Sequence, residues 1–365
     1  PTATATATAT EELGSSAQRE RRKRILDATI DLFTSWLATV PLEGLSVNVH
    51  QLAGLTPLIL CKVEGTAPGE VLFYSHLDKQ PEFTGWSEGK GPWKPVREGD
   101  WLFGRGSVDD GYGGYAGIIS VLALQQQGIP HPTCRFIIET CEESGSPDLP
   151  AYLAECKDDI GTPDLVIVLD SGMGDYERLW ITESLRGLIG GTLSVAVSAE
   201  GVHSGMASGV MPSSFRIARQ LLSRLEDEDT GAIKPDWLHI DISDELRADS
   251  QRICDVLGQA LIDDFPFLDG VEAQSTDLVE ALLAQNWRPT LSITGAGGMP
   301  ALEQAGNVLR THTDLKVSVR IPPGIESELA AARLKQLLEA DPPHGAHVSM
   351  TLDTAANGFA APPMP

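Results

Sequence analysis

The sequence predicts an α/β layer followed by a separate α+β domain, and three observations carry that expectation. Short apolar runs alternate with helical patterns over the first half of the chain, as in a mostly parallel sheet flanked by helices. After Gly187 the runs lengthen and read as an antiparallel sheet with helices. The 365 residues are 42% hydrophobic and 21% charged, a composition able to bury real cores. At roughly 100–200 residues per domain, the length suits two or three domains.

Taken in order, residues 1–19 are small and polar and are expected to be a frayed tail. From 20 to 40, Ile25, Leu26, Ile30, Phe33, Trp36 and Leu37 recur at helical spacing. Strand-like runs follow at 57–63 and 71–77, then a loop rich in Gly, Pro and Trp over 81–106. The spacing predicts a Gly-opened helix over 111–128, a strand over 134–140, a short helix over 150–158 and a buried strand over 164–170. In the second part, strands are expected over 188–199, 290–294, 315–321 and 347–353. Helices are expected over 212–225 and 326–339, with Pro212 fitting a first-turn position. No internal repeat is visible.

Charge and cysteines narrow the function classes. The chain has 27 Lys+Arg against 51 Asp+Glu, a net −24. A phosphate backbone needs a basic footprint, so a nucleic-acid partner is not expected. No apolar run reaches the roughly 18 residues of a membrane span, and residues 1–10 lack the order of a signal peptide. The cysteines number five, an odd count, without a CxxC pair. Neither a disulfide framework nor a thiolate zinc knuckle is favoured, and a cytoplasmic setting is expected.

Four acid- or histidine-bearing segments fall at strand ends or adjoining turns. Ser75-His76-Leu77-Asp78 closes an apolar strand, and residues two apart on a strand share a face, so Asp78 can touch His76. A ligating His commonly has its second nitrogen held by a carboxylate. Asp109-Asp110 precede the Gly-opened helix, where capping is the plainer reading. A phosphate loop is excluded, since no Gly-Lys-Ser/Thr follows. Glu142-Glu143 follow the strand over 134–140, and Asp170 ends the strand over 164–170. Ligands gather at the carboxyl ends of strands in open α/β sheets. His76, Asp109, Glu143 and Asp170 can therefore converge on one crevice as a metal site, the plainer reading being four ordinary loop residues.

In combination, SHLDKQP at 75–81, LFGRGSVDDG at 102–111, ETCEESGS at 139–146, LDSG at 169–172, LRGL at 185–188 and VHSG at 202–205 resemble the co-catalytic zinc metallopeptidases of family M20. That family includes aminoacylase, carboxypeptidase G, succinyl-diaminopimelate desuccinylase and carnosinase. The first and third motifs are most similar to the carnosinase and cytosolic nonspecific dipeptidase branch. The resemblance implies a zinc-peptidase-like catalytic domain over 1–187 and an inserted lid or dimerisation domain over 188–355. Residues 356–365 would begin a return to the catalytic domain, whose C-terminal part is expected to be missing.

The resemblance also implies roles. His76, Asp109 and Asp170 would ligate one zinc, and Asp109 would bridge to a second that Glu143 also binds. Two Zn2+ per intact subunit are implied, with Mn2+ or Co2+ as substitutes. Asp78 would orient His76, and Glu142 would be the general base. A cis bond between Asp109 and Asp110 is implied too. His203 would reach into a homodimer partner's site and stabilise the oxyanion, and Arg320 would bind the substrate's carboxylate. The plainer readings are a surface His and a strand-surface Arg. Two departures stand out: Gly111 follows the Asp pair where many relatives have Lys, and no His follows Asp353 to serve as the last ligand. His344-Gly345-Ala346-His347 reads as a loop-to-strand junction.

The expected activity is hydrolysis of an amide bond in a short peptide, with dipeptides as the leading substrates. An N-acyl-amino-acid deacylase or carboxypeptidase on the same centre is the rival enzyme reading. An inactive metal-binding or dimerising remnant is the non-enzyme reading.

Overall fold

The computed structural model describes residues 16–361. The expected tail is therefore outside the described residues up to 15, and the first helix already begins at Ser16. The chain divides at Gly172/Met173 into two compact units.

The first unit runs through α1 (Ser16–Leu37), β1 (Leu45–His50), β2 (Leu58–Val63), β3 (Glu70–His76), β4 (Val96–Glu98), β5 (Trp101–Phe103), α2 (Tyr112–Gln126), β6 (Thr133–Glu139), α3 (Leu149–Glu155), α4 (Lys157–Ile160) and β7 (Leu165–Val168). Five strands form one sheet in the order β1-β2-β6-β3-β7. β6, β3 and β7 are parallel neighbours, whereas β1–β2 and β2–β6 are antiparallel. The sheet is thus mixed, not mostly parallel as expected. The cause is connectivity: β1 and β2 are joined by a short loop, and only the α2 and α3–α4 crossovers return the chain parallel to itself.

The sheet is covered on both faces. Ile30, Phe33 and Leu37 of α1 and Ile118 and Val121 of α2 pack with Ile59, Phe136 and Ile138. Tyr152 and Cys156 pack with Leu60, Leu72 and Ile137 on the other face. Glycines let α2 approach closely. A Cβ at Gly117 would stand 2.9 Å from Phe136 and 3.0 Å from Phe73, whose rings are stacked at 4.7 Å. The strand expected to be buried, β7, has Leu165, Val166 and Val168 about half exposed. It is the last strand of the sheet order, so neighbours cover it on one side only.

The second unit contains β8 (Ser184–Leu185), β9 (Gly187–Ala196), β10 (Val202–His203), α5 (Ser204–Ala207), α6 (Ser214–Leu222), α7 (Asp244–Leu257), α8 (Ala260–Asp263), α9 (Leu278–Asn286), β11 (Thr290–Gly297), β12 (Val308–Leu309), β13 (His312–Ile321), α10 (Ser327–Glu339), β14 (His347–Ala356) and β15 (Phe359–Ala360). Its four-stranded sheet, β11-β13-β9-β14, is antiparallel throughout, as expected. Ile217 and Leu221 of α6 and Ala331, Leu334 and Leu338 of α10 bury against Leu193, Val317, Val319 and Met350. Residues 173–187, expected with the first domain, belong to the second unit. β8 pairs with β15, and Arg186 donates to the carbonyls of Ala284 and Arg288 beside the end of α9. β14 starts at His347, in keeping with a loop-to-strand junction there.

Phe33 is fully buried and meets Tyr115 edge-on at 4.9 Å. Phe33→Ala should destabilise the first unit by about 3–5 kcal/mol, read from the urea midpoint. A loss under about 1 kcal/mol would show that this core collapses around the cavity.

Candidate metal centre

Three parallel strands deliver the site. His76 is the last residue of β3, which lies between β6 and β7. Glu142 and Glu143 form a single 3-10 turn just beyond β6, and Asp170 follows β7. Asp109 and Asp110 arrive on the turn that precedes α2.

His76 is fully buried, and its Nε2 has no hydrogen-bond partner. That atom lies 3.3 Å from Asp109 Oδ1, 3.3 Å from Asp170 Oδ2 and 3.7 Å from Glu142 Oε2. One ligand atom from each of His76, Asp109 and Asp170 lies within 4.8 Å of the other two. A buried imidazole nitrogen without a partner, facing two carboxylates, fits a divalent cation. A nitrogen with oxygens suits zinc, manganese or cobalt.

The other ring nitrogen is held. His76 Nδ1 lies 3.2 Å from the carbonyl of Asp78 and 3.4 Å from its Oδ1. The carboxylate of Asp78 also accepts the backbone N–H of Glu142 at 3.1 Å and of Glu143 at 3.0 Å. It therefore fixes the acidic turn as well as sitting beside the ring. The two glutamates then diverge. Glu142 faces the cluster, whereas Glu143 accepts from Gln80, through its backbone N–H at 3.0 Å and its side-chain amide. Glu143 is thus not gathered with His76, Asp109 and Asp170.

The charged groups of the cluster shift one another's proton affinities. Burial works against charging His76, but Asp78, Asp170 and Glu142 outweigh it and push its pKa up to about 9. Burial raises the Glu142 pKa, His76 opposes, and Asp170, Glu143 and Asp78 add to the rise. Asp170 is raised by burial and by Asp110, Asp109 and Glu143, against His76.

Several of the supporting contacts carry no signal in sequence. Asp110 is fully buried and accepts the N–H of His76 at 3.0 Å and of Gly113 at 3.1 Å. The capping reading therefore holds for Asp110, while Asp109 stays 57% exposed beside His76. No peptide bond among the described residues is cis, so the Asp109–Asp110 link is trans and still turns the two side chains apart. The Tyr112 hydroxyl donates to the carbonyl of Leu169, fixing the chain just before Asp170. These partners are backbone groups, which no motif displays.

His203 and Arg320 are in the second unit. His203 is exposed, and its Nδ1 accepts the N–H of Gly205 at 3.1 Å. Its proton therefore sits on Nε2, leaving a donor. Arg320 is exposed on β13, opposite Thr290 and Leu188 and away from the core-facing Val319. Arg186 donates to Thr290 Oγ1 at 3.0 Å, which places a second guanidinium next to that strand pair.

Residues 72–351 match the model of Peptidase family M20/M25/M40. A Cys-Gly metallodipeptidase of Schizosaccharomyces pombe is 28% identical over 335 residues, 87% of this chain and 68% of the relative. The Beta-Ala-His dipeptidase of Homo sapiens is 27% identical over 321 residues, 85% of this chain and 62% of the relative. The chain thus spans about two thirds of the length of these curated relatives. Among solved structures, the di-peptidase Dug1p from Saccharomyces cerevisiae has the same fold, with a TM-score of 0.68 at 21% identity. It covers 96% of this chain and 75% of that one. The family match takes in well over half the chain, including His76, Asp109, Glu142 and Asp170, and the chain belongs to peptidase family M20/M25/M40.

Proposed function

We propose that this chain carries the centre of a metal-dependent hydrolase that cleaves the amide bond of short peptides, with dipeptides as its substrates. The observation that carries this reading is the buried, unpartnered His76 Nε2 between Asp109 and Asp170. It stands in a peptidase-family chain whose relatives include proteins named as dipeptidases. His76, Asp109 and Asp170 would hold one zinc. Asp109 and Glu143 would serve a second. The cation supplies Lewis acidity, acidifying water and polarising the scissile carbonyl.

The remaining work falls to side chains. Asp78 holds the His76 ring so that Nε2 faces the acids. Glu142 takes the proton of the attacking water and returns it to the leaving amine. Its raised pKa moves it towards the pH at which one group can do both. In a homodimer built through the second unit, the Nε2–H of His203 would stabilise the oxyanion in the partner's site. The Arg320 fork would take the substrate's terminal carboxylate. Among the described residues no helix is long and apolar enough to cross a membrane. All five cysteines are free and buried, which supports a reducing, cytoplasmic setting.

One observation favours a second reading for this chain by itself. With Glu143 engaged by Gln80, the described residues offer one gathered set of ligands, and the chain by itself would bind one cation with little turnover.

Three outcomes are expected. Metal analysis of the purified chain should give one tightly held zinc, and two tight zincs with full turnover would overturn the one-cation reading. In active enzyme, Glu142→Gln should keep the metal and lower kcat by about 10²–10⁴-fold on dipeptides. Retained turnover would remove Glu142 as the base, and activity confined to acetylated amino acids would replace the dipeptidase reading with a deacylase. Below pH 9 the metal-free His76 carries a proton that a metal must displace. Zinc affinity should therefore rise about tenfold per pH unit between pH 6 and 8, with close to one proton released per metal in calorimetry. A flat profile would overturn the raised pKa of His76.

A further inference from the structure

Lys79 follows Asp78 and is half-buried. Its Nζ donates to the carbonyls of Leu77 at 2.9 Å and Asp78 at 3.2 Å. The ammonium therefore lies against the stretch of chain that carries His76 and Asp78. Its stem fills a hollow left by two glycines of the acid-bearing turn. A Cβ at Gly106 would stand 2.3 Å from Lys79 Cε, and one at Gly111 would stand 3.3 Å from Nζ. Gly106 has φ +76° and Gly111 has φ +126°, so side chains are excluded there by conformation as well as by space. Asp109 and Asp110 lie between these glycines.

Lys79 thus touches both ligand-bearing segments. Burial draws its pKa down, while Asp110, Asp78, Asp109 and Glu143 pull the other way. None of these acids pairs directly with Nζ among the described residues; the carbonyls of Leu77 and Asp78 hold it in place.

We propose that Lys79 is a built-in counter-cation, a positioning residue whose charge offsets the mutual repulsion of Asp78, Asp109, Asp110 and Glu143 and holds the acid-bearing turn beside His76. The same charge weakens cation binding, because a metal meets carboxylates already partly neutralised. Only this second consequence rests on the proposed metal centre.

The test uses Lys79→Met, which keeps the stem and removes the charge, and Lys79→Arg, which keeps the charge. Thermal unfolding of the chelator-treated chain is measured at low salt and at about 1 M salt, where the Debye length falls to about 3 Å. Lys79→Met should unfold about 2–4 °C lower at low salt, and salt should recover most of that loss. Lys79→Arg should track the wild type. In competition titrations Lys79→Met should bind zinc about tenfold more tightly, with Lys79→Arg unchanged. A salt-independent deficit, or none, would overturn the counter-cation. Unchanged or weaker zinc binding by Lys79→Met would overturn its effect on the site. A wild type that binds no zinc would overturn the metal centre and that effect with it, while the salt comparison would still decide the counter-cation.

Discussion

Asp110 brings a carboxylate into the interior without a direct ion pair among the described residues, and both its oxygens go to backbone N–H groups. One belongs to His76 at the end of β3, the other to Gly113 in the first turn of α2. A buried charge costs several kcal/mol unless it is hydrogen-bonded, and bonds to a charged acceptor recover roughly 1.5–3 kcal/mol each. The N-terminal end of the helix dipole adds to that. The arrangement is stable only if strand end and helix start stay together, and the rest of the site follows from it. Asp109, one residue earlier, reaches His76 Nε2, and Tyr112, two residues later, reaches the strand end before Asp170. The close approach needs glycine. A Cβ at Gly113 would stand 3.2 Å from the Asp110 oxygens and from Ser75.

The cost of gathering acids sets the electrostatics of the centre. Two carboxylates about 4 Å apart repel by about 4 kcal/mol at an effective dielectric of 20. Backbone hydrogen bonds to Asp78 and Asp110 meet part of that cost. Burial first, and the neighbouring acids after it, raise the pKa values of Glu142 and Asp170, and the acids raise that of His76 against burial, and each shift lowers the net negative charge when no cation is bound. The cluster is strained towards accepting positive charge, as a proton on His76 or as a metal. The two compete for the same nitrogen.

Periodicity made the cores legible. The stripe of Ile30, Phe33 and Leu37 and the alternation along β13 both bury the residues they should. Sheet order was not legible, because hydropathy reports what a strand prefers and not which strands flank it. β7 reads as fully buried and lies at an edge, and the antiparallel entry of β2 left no mark in its composition. β1 was missed: Leu45-Ser46-Val47-Asn48-Val49-His50 alternates, but the run is short and Val49 is exposed. α7 was missed because it is mostly polar, with Ser250 and Cys254 as its buried residues. The ligand set was visible through motifs. Asp78 beside His76 and a capping acid were visible too, but the reach of Asp110 to His76, of Asp78 to the acidic turn and of Tyr112 to Leu169 was not, since these contacts go to backbone groups brought close by the fold.

The adjacent glutamates show why a motif alone cannot assign roles. Glu142 and Glu143 have the same side chain and neighbouring places on one 3-10 turn, and one carboxylate, Asp78, anchors both backbones. Successive residues on such a turn point about 120° apart, so one anchor aims the two side chains at different surroundings. Glu142 meets the His76 ring and a partly dry environment that raises its pKa, whereas Glu143 meets donors from Gln80. The first setting suits a group that gains and loses a proton, the role proposed for Glu142. The different surroundings of the two side chains are therefore set by the geometry of the turn, with Asp78 as the residue that anchors it.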